Sequence, residues 1–325
     1  MPELPEVEVS RLGLLPHLPG QPIVQAIFRA PKLRHALSPE LAAKLAGKRV
    51  RAILRRGKYL LFDCAGSGSE DRGQDSEDRG QKTEDSSVSG RFAPGKNAGF
   101  HLPSSGIDRA GEPGNGVEGR GWLIVHLGMS GSLRLVPVGA PAQKHDHVDL
   151  VFPATVLRLR DPRRFGALLW HEGADVERHP SIAALGVEPL SPGFDGEWLY
   201  AATRRRKTPI KPLLMNARLL VGVGNIYAAE ALFRAGIAPA RAAGRLSRER
   251  CHRLAAAIRA TLEESIAAGG SSVRDYVHSD GGAGSFQLNC AVYGRAGQPC
   301  QVCGTPISAL RQAGRSSFYC PRCQH

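Results

Sequence analysis

The chain begins Met1-Pro2-Glu3-Leu4-Pro5-Glu6-Val7-Glu8. A proline in second place leaves little bulk to block removal of Met1, and Pro2 then carries a free secondary amine. An α-amino group titrates near pH ~8 against ~10.4 for lysine, so it is a nucleophile at neutral pH without burial. A secondary amine attacking a sugar C1′ gives a charged iminium, which is an electron sink. Glu3 supplies a carboxyl one peptide bond away. The same residues also fit a purely structural role: Pro5 suits a first helical position, and Glu6 and Glu8 suit the positive end of a helix dipole.

The far end carries the clearest single motif. Cys300-x2-Cys303 is followed, after sixteen residues, by Cys320-x2-Cys323. Each pair presents two thiolates to one tetrahedral ion, and the intervening length suits a β-hairpin. The expectation is one structural Zn²⁺ with no open coordination position. Two reactive or disulfide-forming pairs are the alternative. Arg315 falls in the stretch between the pairs, where a hairpin tip can set a guanidinium against a phosphate; a solvated turn is the other reading.

Further segments carry chemistry suited to nucleic acid. Gly57-Lys58-Tyr59 puts a lysine at a strand entry, as a functional amine or an edge gatekeeper. Asp161-Pro162-Arg163-Arg164-Phe165-Gly166 joins two arginines to an aromatic on a turn, a combination that can enter a base stack or merely close a hairpin. Arg204-Arg205-Arg206-Lys207, with Lys211 beyond, reads as a phosphate track or a solvated face. Val221-Gly222-Val223-Gly224-Asn225 precedes a helix. Its glycines expose backbone N–H groups to an anion, but it lacks the spacing of a dinucleotide site.

The rest of the chain must position these groups. It has 325 residues, a formal net charge of +13 and a pI of about 9.8, which favours an anionic polymer as partner. Residues 64–120 are net −3, which leaves +16 for the remainder. No apolar run is long enough to span a membrane, and the start has no signal-peptide pattern. Of seven cysteines, four lie between 300 and 323. That usage fits reduced thiols and a metal site, and so a cytoplasmic protein.

Helices are expected over 5–18, 38–47, 219–235, 247–268 and 273–277. Strands are expected over 23–29, 49–54, 59–63, 122–127, 132–136, 147–152, 156–160 and 167–170. Many short strands punctuated by Gly and Pro predict a β-sandwich or barrel, and the second half is helical. Between 65 and 120 Gly, Ser and charged residues dominate, and Ser69–Gln74 recurs as Ser76–Gln81. This composition predicts a disordered insertion between neighbouring strands. A linker is expected near 180–196.

Taken together, PELPEVE at 2–8, RRGKYLL at 55–61, HLGMSGSLR at 126–134, KHDHVDL at 144–150 and DPRRFG at 161–166 resemble the bacterial formamidopyrimidine-DNA glycosylases. KTPIKPLLM at 207–215, VGVGNIYAAEALF at 221–233, SDGGAGSFQ at 279–287, VYGRAGQPC at 292–300 and the four cysteines continue the resemblance. It runs the length of the chain except for 65–120.

The resemblance implies a monomeric DNA repair enzyme that flips oxidised purines (8-oxoguanine, formamidopyrimidines) out of duplex DNA and also acts on abasic sites. Pro2 would attack C1′ and form a Schiff base, with β,δ-elimination following. Glu3 would handle protons at the sugar. Lys58 would assist excision and β-elimination, and Arg315 would hold a phosphate and serve δ-elimination. Met129, Arg163 and Phe165 match the trio that fills the vacated space and wedges the opposite strand. His145, Arg163, Arg206, Lys211 and Asn225 match DNA contacts, although the family often has Lys where Arg206 stands. Residues 271–287 match a mobile loop over the flipped base.

The implied fold is α+β: an N-terminal β-sandwich with flanking helices over 1–185, interrupted by the 65–120 insertion; a helix-two-turn-helix domain over 196–289; and a zinc ribbon hairpin over 290–325. Two rivals stand beside it. Endonuclease VIII, which prefers oxidised pyrimidines, shares the Pro-Glu start but usually has Gly where Leu4 stands and lacks the wedge set. A catalytically dead zinc-ribbon protein would bind damaged DNA without cutting it.

Overall fold

A computed structural model describes residues 2–66, 119–270 and 290–325. The expected insertion, the helix over 273–277 and the loop over 271–287 lie outside these residues, apart from the insertion's outermost positions.

The N-terminal half is a sandwich of two four-stranded antiparallel sheets. In chain order its elements are α1 (Leu4–Leu14), β1 (Gln25–Phe28), α2 (Pro39–Leu45), β2 (Arg49–Arg56), β3 (Tyr59–Ala65), β4 (Gly121–His126), β5 (Ser132–Val136), β6 (Asp146–Val151), β7 (Val156–Arg160) and β8 (Ala167–Glu172). One sheet runs β1-β6-β7-β5 and the other β2-β3-β4-β8. Alternating apolar side chains of the two inner faces, among them Ile53, Phe62, Val125, Leu150 and Leu159, meet in one core with Val7 and Leu14 of α1. The sandwich and its flanking helices match expectation.

Two helices differ from the sequence reading. Helix α1 ends at Leu14 rather than at 18, because Pro16 has no N–H to continue the ladder. The helix expected over 219–235 begins only at Asn225. Before it, Leu220 pairs with Val187 in a parallel bridge, and Gly222 has φ +85°.

The second half contains α3 (Pro180–Ala183), α4 (Gly196–Thr203), α5 (Ile210–Leu214), α6 (Asn225–Arg234) and α7 (Arg248–Ala267). The sequence reading foresaw none of α3, α4 and α5, and α3 falls where it expected a linker, over 180–196. Helix α4 is capped by Asp195, whose side chain accepts the Trp198 N–H (2.7 Å), and α5 is little more than one turn. Helices α4, α6 and α7 enclose a separate core built on Leu199, Leu214, Leu232, Leu254 and Ile258, and Leu4 from the N-terminus reaches into it.

The last element is the hairpin β9 (Ser308–Gln312) and β10 (Arg315–Tyr319), with Ala313-Gly314 at its tip. It docks on α6 through Ala229, Val292, Ile307 and Phe318. Glu230 of α6 fixes the chain before the ribbon by accepting the N–H groups of Ala291, Val292 and Tyr293 (2.8–3.0 Å).

Candidate active site and metal centre

The N-terminus is buried between the two halves. Pro2 is buried and Glu3 is 2% exposed. The Leu4 N–H donates to the Gly222 carbonyl (3.1 Å), and the Glu3 N–H donates to Glu6 Oε2 (2.8 Å). Glu3 Oε1 accepts the Ile226 N–H at the start of α6 (3.3 Å), while its Oε2 has no partner among the described residues. Burial raises the Glu3 pKa, against the opposing pull of Lys58. A carboxyl with one buried oxygen unbonded and a raised pKa is suited to carry a proton rather than a fixed charge.

The segment 221–225 is the wall of this site. A β-carbon on Gly224 would overlap the Glu3 carboxyl, and one on Gly222 would crowd Leu4. Val221 fills the space where a side chain at Gly57 would stand. These glycines therefore let the backbone approach the N-terminus and the β2–β3 turn. That close packing accounts for them directly, whereas the sequence suggested only an anion cradle.

Lys58 sits on the β2–β3 turn. Burial and the Arg315 guanidinium push its pKa down, and the Glu3 and Glu6 carboxyls oppose the shift. Glu188, 1% exposed, holds the turn: it accepts from the Gly57 N–H (2.5 Å), Arg55 Nη1 (2.9 Å) and Arg56 Nη1 (3.1 Å). Sequence reasoning missed Glu188. A lone Glu in a Pro-flanked linker gives no local sign that a distant turn needs it.

Lys211 on α5, expected among the DNA contacts, is 1% exposed. Its Nζ donates to the Ser316 carbonyl (3.2 Å) and Ser317 Oγ (3.0 Å) on the zinc hairpin. Burial lowers its pKa to about 8, with Glu3 opposing and Arg315 assisting. Lys211 thus ties the hairpin to the site, and with Arg315 it lines a small cavity that includes Met215 and Gln312. Arg315 itself is exposed. Glu3, Lys58, Lys211 and Arg315 come from four separate stretches of chain and share one electrostatic environment.

The loops that carry the three wedge candidates are joined. Met129 and Phe165 are 38% and 42% exposed, unusual for such large apolar groups, and the Arg163 guanidinium lies 4.8 Å from the Phe165 ring centroid. Buried Asp161 binds their two loops together. It accepts from Ser130 Oγ (2.7 Å) and the Gly166 N–H (2.7 Å), and Ser130 Oγ in turn accepts the Arg163 N–H (3.1 Å). His145, half-buried with φ +76°, adjoins the same region, since its carbonyl accepts the Asp161 N–H. Exposed Arg206 donates through Nε to the Ala202 carbonyl (2.7 Å). Asn225 opens α6 half-buried, its Oδ1 without a partner among the described residues.

The four Sγ atoms of Cys300, Cys303, Cys320 and Cys323 lie within 4.8 Å of one another, with Cys303–Cys320 at 3.5 Å and Cys300–Cys323 at 3.9 Å. Tetrahedral thiolates ~2.3 Å from a zinc ion stand about 3.8 Å apart, so the four are placed to hold one Zn²⁺. Four thiolates close the coordination sphere, which suits a structural ion.

A β-sandwich joined to a helical domain and a four-cysteine hairpin, with a buried Pro-Glu terminus between them, is the architecture of a class of DNA repair glycosylases. Family models agree part by part. Residues 1–168 match the formamidopyrimidine-DNA glycosylase N-terminal domain, 185–277 its H2TH domain, and 297–325 the zinc finger found in FPG and IleRS. Formamidopyrimidine-DNA glycosylase of Dechloromonas aromatica is 51% identical and that of Ralstonia nicotianae 48%, each over the whole of both chains. The Thermus thermophilus MutM (FPG) crystal structure superposes with TM-score 0.74 at 35% identity, covering 99% of this chain and 98% of that one. A Lactococcus lactis FPG point mutant in complex with Fapy-dG-containing DNA gives TM-score 0.77 at 30% identity over all of both chains. The chain belongs to the formamidopyrimidine-DNA glycosylase family, whose members are bifunctional DNA glycosylases and abasic-site lyases. Among the described residues no helix is long and apolar enough to cross a membrane.

Proposed function

We propose that this chain excises 8-oxoguanine and formamidopyrimidines from duplex DNA with Pro2 as nucleophile, then cleaves the strand by β,δ-elimination. The observation that carries the reading is the convergence of Glu3, Lys58 and Arg315 beside a buried Pro2. The neutral Pro2 amine attacks C1′ and the C1′–N9 bond breaks, so the bonding pair leaves with the base. Loss of the amine proton leaves a neutral aminal. The C1′–O4′ bond then breaks, its pair going to O4′, which takes up a proton, and the nitrogen lone pair closes the C1′=N⁺ iminium of the Schiff base. Glu3 exchanges protons at the sugar. Lys58, with its ammonium disfavoured by burial, assists base departure and takes the C2′ proton in β-elimination. Arg315 holds the phosphate that leaves in δ-elimination.

Met129, Arg163 and Phe165 fill the space the flipped nucleotide vacates, and unstacking is least costly at a damaged base. His145, Arg206 and Asn225 hold phosphates. Lys211, which ties the hairpin down, adds a DNA contact beside Arg315. The working units are 1–185, 196–289 and 290–325, with DNA in the basic cleft between the first two. The protein acts as a monomer in the cytoplasm on nucleoid DNA, its substrate.

The test is intact mass followed by borohydride trapping on an 8-oxoguanine duplex. Protein lacking Met1 should form one covalent adduct. Protein retaining Met1, and the Pro2→Gly variant, should bind the duplex yet trap little or none. Full turnover by a verified Met1-retaining protein refutes the assignment. Binding without any trapping by the processed protein would favour the non-cleaving rival.

A further inference from the structure

Tyr227 is among the largest fully buried side chains, 1% exposed, and its hydroxyl lies inside the site. It donates to Glu6 Oε1 (2.5 Å), and Ser265 Oγ of α7 lies 2.7 Å from the same oxygen of the tyrosine. Because the phenol proton goes to Glu6, the Ser265 hydroxyl is the donor of that pair. Glu6 is fully buried, and its second oxygen accepts the Glu3 N–H. A continuous chain thus runs from α7 through Tyr227 and Glu6 to the amide that follows Pro2. Gly270, at φ +79°, closes over Glu6, where a β-carbon would stand 3.3 Å from Oε1.

We infer that Tyr227 is a positioning residue for the Pro2 nucleophile, acting through Glu6 on the Pro2–Glu3 peptide. The inference rests on Pro2 being the attacking amine. The proline nitrogen is one rotation away from that peptide, so the plane of the peptide decides where the nitrogen points. The Glu6 carboxyl can hold the Glu3 N–H only while its own orientation is fixed. Ser10 Oγ donates to the Glu6 carbonyl, which steadies the backbone but not the carboxyl. The Tyr227 hydroxyl does steady it, and it reaches across from the helical half. The Leu4–Gly222 bond anchors the next amide to the same half. Two successive amides are therefore registered against α6 and its leading loop, which holds Pro2 in line with the Lys58 turn packed on Val221. A displacement of ~1 Å in a reacting atom costs on the order of 100-fold in rate.

The experiment compares processed parent protein with Tyr227→Phe, which keeps the ring and removes the hydroxyl. Single-turnover Schiff-base trapping is measured on a preformed abasic-site duplex at saturating enzyme, below both Tm values. The expected result is a fall in the trapping rate of about tenfold or more, with the Kd for the duplex unchanged within about twofold. A merely structural tyrosine would lower Tm and leave the rate of the folded protein alone. Glu6→Gln and the double variant complete a cycle. Residues acting through one link should be non-additive, so the double variant should be no slower than the slower single variant. Should Tyr227→Phe fail to fold, Ser265→Ala, which frees one side of the same hydroxyl, is expected to slow trapping about threefold. Trapping at the parental rate by Tyr227→Phe, or by Ser265→Ala where it stands in, overturns the inference. So does strict additivity in the cycle. Failure of the parent protein itself to trap would instead strike the Pro2 assignment.

Discussion

The Glu3 carboxyl lies against the α-carbon of Gly224 with no room for a β-carbon between them. The two residues are 221 positions apart in the chain, yet this contact sets the distance between the N-terminus and α6.

The first prediction follows directly. Gly224→Ala must push Glu3 and the peptide after Pro2 away from the 221–225 wall. Base excision should fall by about 100-fold or more, while zinc content is unchanged because a Gly224 β-carbon meets Glu3 and none of the four cysteines. Single-turnover excision and elemental analysis check both halves. Excision within about threefold of the parent would show that Glu3 has room to move.

A second prediction concerns Glu3 and pH. Burial raises its folded-state pKa above the ordinary 4.5. Below pH 4.5 both folded and unfolded chains hold the proton, and the carboxyl costs nothing. As pH rises through the window from 4.5 to the raised folded value, the unfolded chain ionises first, and stability is lost. Above that window the full cost persists. Glu3→Gln removes it, so the Tm of the variant should climb relative to the parent as pH rises from 4.5 toward the raised folded value, while its excision rate collapses. Thermal melts across that range decide it. A gap that is constant or shrinks with pH would contradict the raised pKa.

The third concerns the metal. Freshly purified protein should hold about one Zn²⁺ per chain. Cys303→Ser should lose it, and with it the hairpin that seats Arg315 and receives Lys211. DNA affinity should drop about tenfold or more, because phosphate contacts are lost together. Elemental analysis and a binding isotherm at fixed salt measure both. Parental affinity without zinc would show that the hairpin holds its shape alone.

The fourth concerns residues 67–118. Cys64 pairs with Gly121 and Ala65 ends β3 beside it, so the segment leaves and re-enters the sheet at one point. Arg120 clamps that point through Asp63 (2.9 Å), and the Lys48 ammonium reaches the Gly119 carbonyl. Replacement of 67–118 by a short Gly/Ser linker should therefore preserve folding, zinc content and lesion cleavage. Removing a net acidic stretch should leave DNA affinity at low salt equal or slightly tighter. A folded but inactive deletion variant would assign the stretch a role in substrate positioning.

Local chemistry was enough to read the Pro-Glu start, the four cysteines, the strands and the family from the sequence. Proline second in the chain, C-x-x-C spacing and alternating apolar residues each act within a few positions, so no distant partner is needed to see them. Lys58, Met129, Arg163, Phe165 and Arg315 were legible through motif resemblance, which named them without saying how they meet. Only the tertiary structure decided that meeting. The 221–225 glycines looked like an anion cradle until the fold pressed them against Glu3 and Leu4. Lys211 belonged to a basic run, yet the hairpin that buries it lies 105 residues further along the chain. Glu188 carries no local signal, and the motifs that contain Asp161 and Tyr227 gave those two residues no role of their own. Each is a buried polar group, which is stable only when its partners are supplied, and those partners sit on other elements. Burial, and the need to satisfy every buried hydrogen-bonding group, are properties of the assembled fold and not of any stretch of chain.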